Sequence, residues 1–220
     1  MSHISEPGAG SCGKSQGETG EVLVLILFDA TLTKSFCNTM VKEKNIIRNY
    51  GNGQMIGFSE EIKVIEGDWP QKYTIGLLRF DTMKDAKKWN FSDPLTKQQD
   101  WLDQVEIYVM PLLKAFPKKE YQVMELFNCD LINEEQFYHK FLPSYKSAID
   151  GNGCENFIAC TDKVERWRGR HNFCHVMISL WPSLDDYMNW RNSEDFNHIR
   201  NLQDEICVGE TIIVELKTKL

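Results

Sequence analysis

The stretch FDTMKDAKKWNFSD, residues 80–93, has a counterpart about a hundred residues later in WPSLDDYMNWRNSED, residues 181–195. In both stretches an aromatic residue is followed nine positions later by a tryptophan, and three positions after that by a serine. These residues are Phe80, Trp89 and Ser92 in the first stretch and Trp181, Trp190 and Ser193 in the second. Such a pair is either a catalytic signature that is used twice or one small fold that occurs twice in the chain.

The similarity extends well beyond these two stretches. LILFDATLTKSF, which begins at Leu25, resembles VMELFNCDLINEEQF, which begins at Val123, and YGNG at 50–53 matches DGNG at 150–153. Two single-residue gaps are enough to align the two halves over about 90 residues. Self-similarity at a constant spacing indicates a repeated structural unit, so the sequence favours a fold that occurs twice.

Each half has the same predicted order of elements. An apolar strand is followed by apolar residues at helical spacing, a Gly-Asn-Gly stop, two further strands, a short helix and a last strand. The strands are predicted at 22–28, 54–66, 73–80 and 105–112 in the first half, and at 121–127, 154–165, 173–181 and 209–216 in the second. Thr82 and Ser183 are placed to cap the short helices, since acidic residues follow them in the first turn.

This β-α-β-β-α-β order is that of the ferredoxin-like split motif. We therefore predict an α+β fold in which two tandem ferredoxin-like (βαββαβ) repeats pack sheet to sheet as an intramolecular dimeric α/β barrel. The predicted boundaries are a flexible leader at 1–20, a first repeat at 21–114, a linker at 115–120 and a second repeat at 121–220.

Composition limits the classes of function. The formal net charge is −7 and no long basic run occurs, which argues against a nucleic-acid surface. The seven cysteines are an odd number without a CxxC pair, so we expect reduced thiols rather than a disulfide framework. The apolar run Val22–Phe28 is too short to span a bilayer. We expect a cytoplasmic protein that contacts neither nucleic acid nor membrane.

Several residues resemble the bacterial DUF1330 family. The first half reads VIEGDWP at 64–70 and then has Phe80, Trp89 and Ser92; the second half has WPS at 181–183, Trp190, Ser193, Phe196 and Arg200. The resemblance implies a dimeric α/β barrel, a superfamily that also holds cofactor-free monooxygenases, haem-degrading enzymes and isomerases. It also implies a ligand-binding role for Arg200. The second half lacks the EGDW turn and keeps only Glu165 in register.

The tryptophans are the candidate ligand contacts. Trp69, Trp89, Trp181 and Trp190 could line a pocket for a flat apolar molecule. Trp89 and Trp190 are better explained as residues that anchor a helix on its sheet. Ser92 and Ser193 lie outside any GxSxG motif and fit a second capping role better than that of a nucleophile.

The candidate catalytic groups are acids and histidines. Glu66 and Asp68 flank Gly67 and could act as acid and base, although turn carboxylates are usually solvated. His175 lies in a predicted strand and is expected to face a cavity between the sheets, with His171 as a second contact to the ligand. A buried histidine that merely completes the core is the alternative. The sequence provides no metal-binding motif, and we predict no metal site.

One phosphate motif matches by pattern only. GAGSCGKS, residues 8–15, satisfies the P-loop pattern, but a buried strand must precede such a loop and a helix must follow it. The polar residues on both sides favour a Gly/Ser-rich leader instead.

The sequence therefore predicts a protein that binds a small apolar or aromatic molecule and acts on it without a cofactor, as an oxygenase, isomerase or lyase. A non-enzymatic carrier or interaction protein is the alternative, and haem binding through His175 is a further one. We expect a monomer with a pseudo-dimeric core that could self-associate further. The halves differ at the EGDW turn and at the histidines, and we expect the site there.

Overall fold

The computed structural model describes residues 20–70, 72–92, 102–154 and 156–218. Its strands are β1 (Val22–Asp29), β2 (Gln54–Phe58), β3 (Lys63–Glu66), β4 (Tyr73–Phe80), β5 (Glu106–Pro111), β6 (Val123–Leu131), β7 (Asn156–Thr161), β8 (Glu165–Arg168), β9 (His175–Trp181) and β10 (Cys207–Glu215). Its α-helices are α1 (Thr33–Arg48), α2 (Met83–Asn90), α3 (Glu134–Gln136), α4 (Leu142–Gly151), α5 (Leu184–Arg191) and α6 (Glu194–Ile206). Short 3₁₀ turns occupy Ala30–Leu32 and Leu102–Gln104, and a π-helical segment, Phe137–Phe141, joins α3 to α4.

The strands form two five-stranded antiparallel sheets. The first sheet has the order β2-β4-β1-β5-β8, and the second has the order β3-β10-β6-β9-β7. Strand β3 follows β2 in the chain but pairs with β10 in the second sheet, while β8 follows β7 but pairs with β5 in the first. Each half of the chain thus contributes one edge strand to the other half's sheet.

Successive side chains of the central strands point to opposite faces of the sheets, so the apolar residues form three layers: one between the sheets and one under the helices of each half. In β1, Leu23, Leu25 and Leu27 face the second sheet, whereas Val24 and Ile26 face the helices of the first half. The space between the sheets is filled by apolar side chains from both halves, and each sheet is covered on its outer face by its own helices. The mixed α+β fold that the sequence predicts is confirmed.

Backbone hydrogen bonds join the two sheets at both seams. Phe58 and Lys217 exchange a pair of bonds, and the Leu113 amide donates to the Ile158 carbonyl at 2.9 Å. The continuous strands expected at 54–66 and 154–165 are wrong, because each is broken where the chain crosses from one sheet to the other. At the first crossing, the buried Ser59 hydroxyl lies 2.8 Å from the Thr74 hydroxyl and fixes the bend.

The capping predictions are confirmed where the structure describes them. Thr82, Ser183 and Ser193 each accept a hydrogen bond from the backbone N–H three residues later, at the first turns of α2, α5 and α6. Ser92 is buried, but the helix start that it is expected to cap falls on residues outside the described ranges, as does the P-loop pattern at 8–15.

The predicted helix-anchoring role of two tryptophans is also confirmed. Trp89 is 1% exposed and packs on Phe80, with ring centroids 5.4 Å apart. Trp190 is equally buried and stacks on Trp181 at 5.0 Å. The tryptophan of the shared Trp-x-x-Ser pattern thus fixes a helix on its sheet in both halves. None of the helices in the described ranges is long and apolar enough to cross a membrane.

Candidate active site

A carboxyl group lies buried between the second sheet and its helices. Glu125 on β6 is 3% exposed, and its neighbours on the same face, Val123 and Phe127, belong to the apolar layer under the helices. The Tyr145 hydroxyl on α4 donates to Glu125 Oε2 at 2.9 Å and lies 3.1 Å from the Ser179 hydroxyl on β9. We call this helix-covered face of the second sheet the Glu125 layer.

Burial is the main influence on this carboxyl group. Because the charged form loses its solvation, burial raises the pKa of Glu125 from its ordinary 4.5 to about 7. The Tyr145 hydroxyl, the Arg191 charge, and the nearby Trp181 and Tyr187 donors each act in the opposite direction but do not outweigh burial. Glu125 therefore exists in both protonation states near neutral pH, as a general acid or base requires.

Three aromatic donors surround the same layer without hydrogen bonds of normal geometry. They are the indole N–H groups of Trp181 and Trp190 and the hydroxyl of Tyr187, and all three are buried. The Tyr187 ring lies 5.5 Å from that of Trp181 and 5.8 Å from that of Trp190. Trp181 and Tyr187 are close enough to Glu125 to lower its pKa, whereas the Trp190 N–H has no acceptor among the described residues, which is costly for a buried donor. All three donors are suited to a ligand that carries oxygen acceptors.

The sequence-predicted Glu66 reaches this region from the other half of the chain. It lies at the end of β3, where its carboxylate accepts a hydrogen bond from Arg191 at 2.7 Å and weaker ones from Gln203 and Thr211. Burial raises the pKa of Glu66, but the hydrogen bond and charge of Arg191 bring it below its ordinary value. The Arg191 guanidinium also lies over the Phe196 ring, 3.9 Å from its centroid.

The matching layer of the first half is apolar. Aligning Phe28 with Phe127, and Phe80 with Trp181, places Ile26 and Leu78 at the positions of Glu125 and Ser179. Ile26 and Leu78 are buried with hydrophobic neighbours. The sequence reasoning missed Glu125, although the single acid inside the apolar strand VMELF, set against Ile26 in the other half, was the signal that could have found it.

His175 does not face the space between the sheets, so that expectation is wrong. It starts β9 on the same face as Met177 and Ser179, and its ring packs edge-on against Phe137 at 4.7 Å. The predicted strand began at Phe173, but residues before His175 form a loop. His175 therefore shares the Glu125 layer, roughly 13 Å along the strand from Ser179.

The surroundings of His175 do not fit a haem ligand. The ring is 3% exposed, and its Nε2 atom lies 3.3 Å from the Cys160 thiol. Burial lowers the pKa of His175 and raises that of Cys160 to about 12, so both groups are neutral near pH 7. Phe137 covers the ring on the side of the helices, and an axial bond to iron would require displacement of these neighbours. In the described ranges, no cluster of three or more His, Cys, Asp or Glu side chains is arranged to hold a metal ion.

Two other predicted contacts, Trp69 and His171, meet at the end of the inter-sheet core. Their ring centroids are 4.4 Å apart, and Phe173 packs against both. His171 Nε2 lies 2.7 Å from a carboxylate oxygen of Glu210 on β10, at ion-pair distance but without an aligned hydrogen bond. Burial raises the pKa of Glu210, but the close approach of His171 and the hydrogen bond from Asn128 bring it below its ordinary value. The EGDW turn of one half and the histidine of the other are thus in direct contact.

A second carboxylate, Glu106 on β5, holds the turn that leads to His171. It accepts hydrogen bonds from the Tyr73 hydroxyl at 3.2 Å, the Tyr108 hydroxyl, and the His171 backbone N–H at 3.1 Å. Burial raises the pKa of Glu106, but these hydrogen bonds bring it below its ordinary value. Gly169 has φ +116°, and a Cβ atom there would lie 2.5 Å from that of Glu106, so only glycine fits this close approach.

The other predicted site residues are not part of either cluster. Asp68 is exposed in the turn, and Arg200 is exposed on α6, where its charge helps to lower the pKa of Glu66. Trp89 lies in the helix layer of the first half. The structure thus brings Glu66, Trp181, Trp190 and His175 to the Glu125 layer. It places Trp69 and His171 at the end of the inter-sheet core.

Concavities open on the surface of the described residues, and two of them border the apolar layers. One, of about 530 Å³, lies between α4 and α6 and includes Ala148 and Ile199, whose other sides contact the apolar layer around Glu125. The other, of about 470 Å³, lies beside the linker and includes Tyr121, which belongs to the inter-sheet core.

Solved structures share this fold at low sequence identity. A candidate monooxygenase from Fusobacterium nucleatum matches with TM-score 0.56 and 12% identity, over 91% of this chain and 94% of its own. An anthrone oxidase-like protein matches with TM-score 0.56 and 11% identity, over 93% and 94% of the two chains. A candidate monooxygenase from Lactobacillus acidophilus matches with TM-score 0.54 and 10% identity, over 90% and 94%.

No protein-family profile matches this chain, and no curated protein does. Membership of the DUF1330 family therefore stays a prediction. The fold itself, two antiparallel sheets covered by helices, is that of dimeric α/β-barrel proteins.

Proposed function

We propose that this chain is a small-molecule-binding α/β-barrel enzyme that works without a bound cofactor, with Glu125 as its general base and acid. The observation that carries the proposal is one buried carboxyl group, poised near neutral pH, inside an aromatic layer. A strongly perturbed acid beside buried aromatic donors is typical of functional sites. The first half has only apolar residues at the matching positions.

The chemistry follows from the groups in the layer. A carbon acid beside a ring carbonyl could give its proton to Glu125, and the resulting enolate oxygen could accept hydrogen bonds from the Trp181 and Tyr187 donors. The flat indole of Trp190 completes an apolar setting for an aromatic ring. Such an enolate can react directly with oxygen, as in the oxidation of anthrone by O₂ to anthraquinone and water. Candidate monooxygenases and an anthrone oxidase-like protein share the fold, which supports this class of reaction.

We propose the concavity between α4 and α6 as the route to the layer. Tyr145, which binds Glu125, lies on the inner face of α4, and Ser144 and Ala148 lie along the concavity. A substrate entering here would pass between α4 and α6. The π-helical segment before α4, a feature that often occurs at functional sites, is found in the second half, whereas α1 runs as an uninterrupted α-helix.

Oxygen uptake with anthrone as the probe tests this function. We expect the wild-type protein to convert anthrone to anthraquinone, and Glu125→Gln to lower the rate by about 100-fold or more. Glu205→Gln, an exposed acid on α6, is the control and should leave the rate unchanged. An unchanged rate in Glu125→Gln would contradict the role of Glu125, and no turnover by the wild type would contradict oxygen chemistry on this ring system.

A non-enzymatic carrier is the second candidate, and the concavity beside the linker favours it. Its volume of about 470 Å³ suits a small molecule. Ile56, Phe116 and Leu216 form an apolar wall that continues into the inter-sheet core. Native mass spectrometry of protein from its own source should then find a retained ligand, and Leu216→Trp should reduce the retained fraction by filling the cavity.

The remaining expectations also belong to this proposal. The parallel element order of the halves supports a tandem ferredoxin-like repeat with boundaries at 21–114, 115–120 and 121–220. The exchanged strands support a monomer with a pseudo-dimeric core. We propose a cytoplasmic protein whose partner is a small apolar or aromatic molecule rather than nucleic acid or membrane, and whose relatives include the DUF1330 family.

A further inference from the structure

The contact between Glu66 and Arg191 connects the two halves of the chain. Glu66 ends strand β3, which leaves the first half and pairs with β10 at the edge of the second sheet. Arg191 ends helix α5, which also carries Tyr187 and Trp190 of the Glu125 layer. The Glu66 and Arg191 side chains are 22% and 12% exposed, so this ion pair is largely removed from solvent.

Arg191 contacts one carboxyl group directly, and its charge influences a second. Its Nη2 atom is 2.7 Å from Glu66 Oε1, and the guanidinium charge also acts on Glu125 and on Tyr187. The Phe196 ring beneath the guanidinium limits its movement. A buried arginine without a carboxylate partner destabilises the fold, because its charge loses solvation without compensation. In this structure the partner, Glu66, comes from the first half.

We propose that Glu66 is a positioning residue: it holds the Arg191 guanidinium away from Glu125, so that the site of the second half is complete only with the strand supplied by the first. This inference rests on the proposed role of Glu125. Strand exchange then does more than close the barrel, because the exchanged strand β3 brings Glu66 to a site whose other residues belong to the second half.

The effect of removing the Glu66 charge follows from the surrounding groups. The titratable and charged groups around Glu125 are Tyr145 from α4, Tyr187 and Arg191 from α5, Cys154 from before β7 and, beyond Arg191, Glu66 from β3. Arg191 is the cation among them. Without the Glu66 charge, Arg191 would be drawn to Glu125, would fix that carboxylate in its ionised form and would weaken it as a base.

Glu165 offers a matched control. It begins β8, the other exchanged strand, and pairs with Lys87 on α2 of the first half at 2.8 Å. That pair has the same origin in strand exchange but lies beside an apolar helix layer and is about half exposed. Its loss should not reach Glu125.

The experiment is a pH titration of the Glu125 carboxyl band by infrared difference spectroscopy, with the band assigned by its loss in Glu125→Gln. In Glu66→Gln we expect the midpoint to fall by about one pH unit or more, whereas Glu165→Gln should leave it where it is in the wild type. Arg191→Met should shift the midpoint the opposite way, which provides a second reading if Glu66→Gln folds poorly.

An unchanged midpoint in Glu66→Gln, or a fall in Arg191→Met, would overturn the inference. Because the titration needs no substrate, its outcome is separate from the anthrone test. Full activity in Glu125→Gln would refute the proposed function and leave the titration result standing.

Discussion

Ionisation of the buried Glu125 should make the free energy of unfolding of the protein depend on pH. An acid whose pKa is raised in the folded state destabilises the fold when it ionises. With a folded pKa of about 7 and an ordinary value of 4.5, the folded protein binds more protons than the unfolded chain between these two values. The stability contributed by neutral Glu125 is therefore complete below about pH 4.5 and is lost as pH rises through about 7.

The magnitude follows from the size of the shift. Each pKa unit corresponds to about 1.4 kcal/mol, so the loss is about 2 kcal/mol by pH 6 and about 3 kcal/mol by pH 8. Glu125→Gln keeps the shape of the side chain and removes this titration. The free energy of unfolding of the variant, minus that of the wild type, should therefore rise by about 3 kcal/mol between about pH 4.5 and about pH 8.

Urea denaturation at a series of pH values measures this difference. The difference is needed because Glu66, Glu106 and Glu210 have lowered pKa values and change stability in the opposite direction. Glu205→Gln on the exposed face of α6 is the control and should give a flat difference. A flat difference for Glu125→Gln as well would mean that Glu125 is not buried as the structure shows.

Three further predictions concern stability. Trp190→Ala should cost about 3–5 kcal/mol in denaturant unfolding, because the ring is 1% exposed, and a loss below about 1 kcal/mol would contradict its place in the core. Gly209→Ala should cost about 3 kcal/mol, because its Cβ would lie 2.2 Å from the Asn128 carbonyl oxygen, whereas Gly151→Ala has open space and should change the melting temperature little. Glu106→Gln should lower the free energy of unfolding by about 1–3 kcal/mol at pH 7, where the ionised carboxylate accepts its hydrogen bonds. The loss should become smaller as pH falls below 4.5. An equal loss at both pH values would argue against a lowered pKa.

The sequence determined the local and periodic features of this protein. The continuous apolar run Val22–Phe28 predicted a strand, and the structure buries both of its faces, because successive side chains point to opposite sides of a sheet. Thr82, Ser183 and Ser193 predicted the helix starts, because a cap depends only on residues within one turn. The core role of Trp89 and Trp190 followed from their helical position, since such large side chains must be covered.

The tertiary structure alone decided which of these elements meet. The exchange of β3 and β8 between sheets brought Glu66 to Arg191 and Trp69 to His171, residues far apart in the sequence. Sheet pairing follows from long-range packing rather than from local propensity, which is why strand 54–66 was predicted as one piece. The ionisation of Glu125 was equally beyond the sequence, because a pKa depends on burial, and burial is a property of the complete fold.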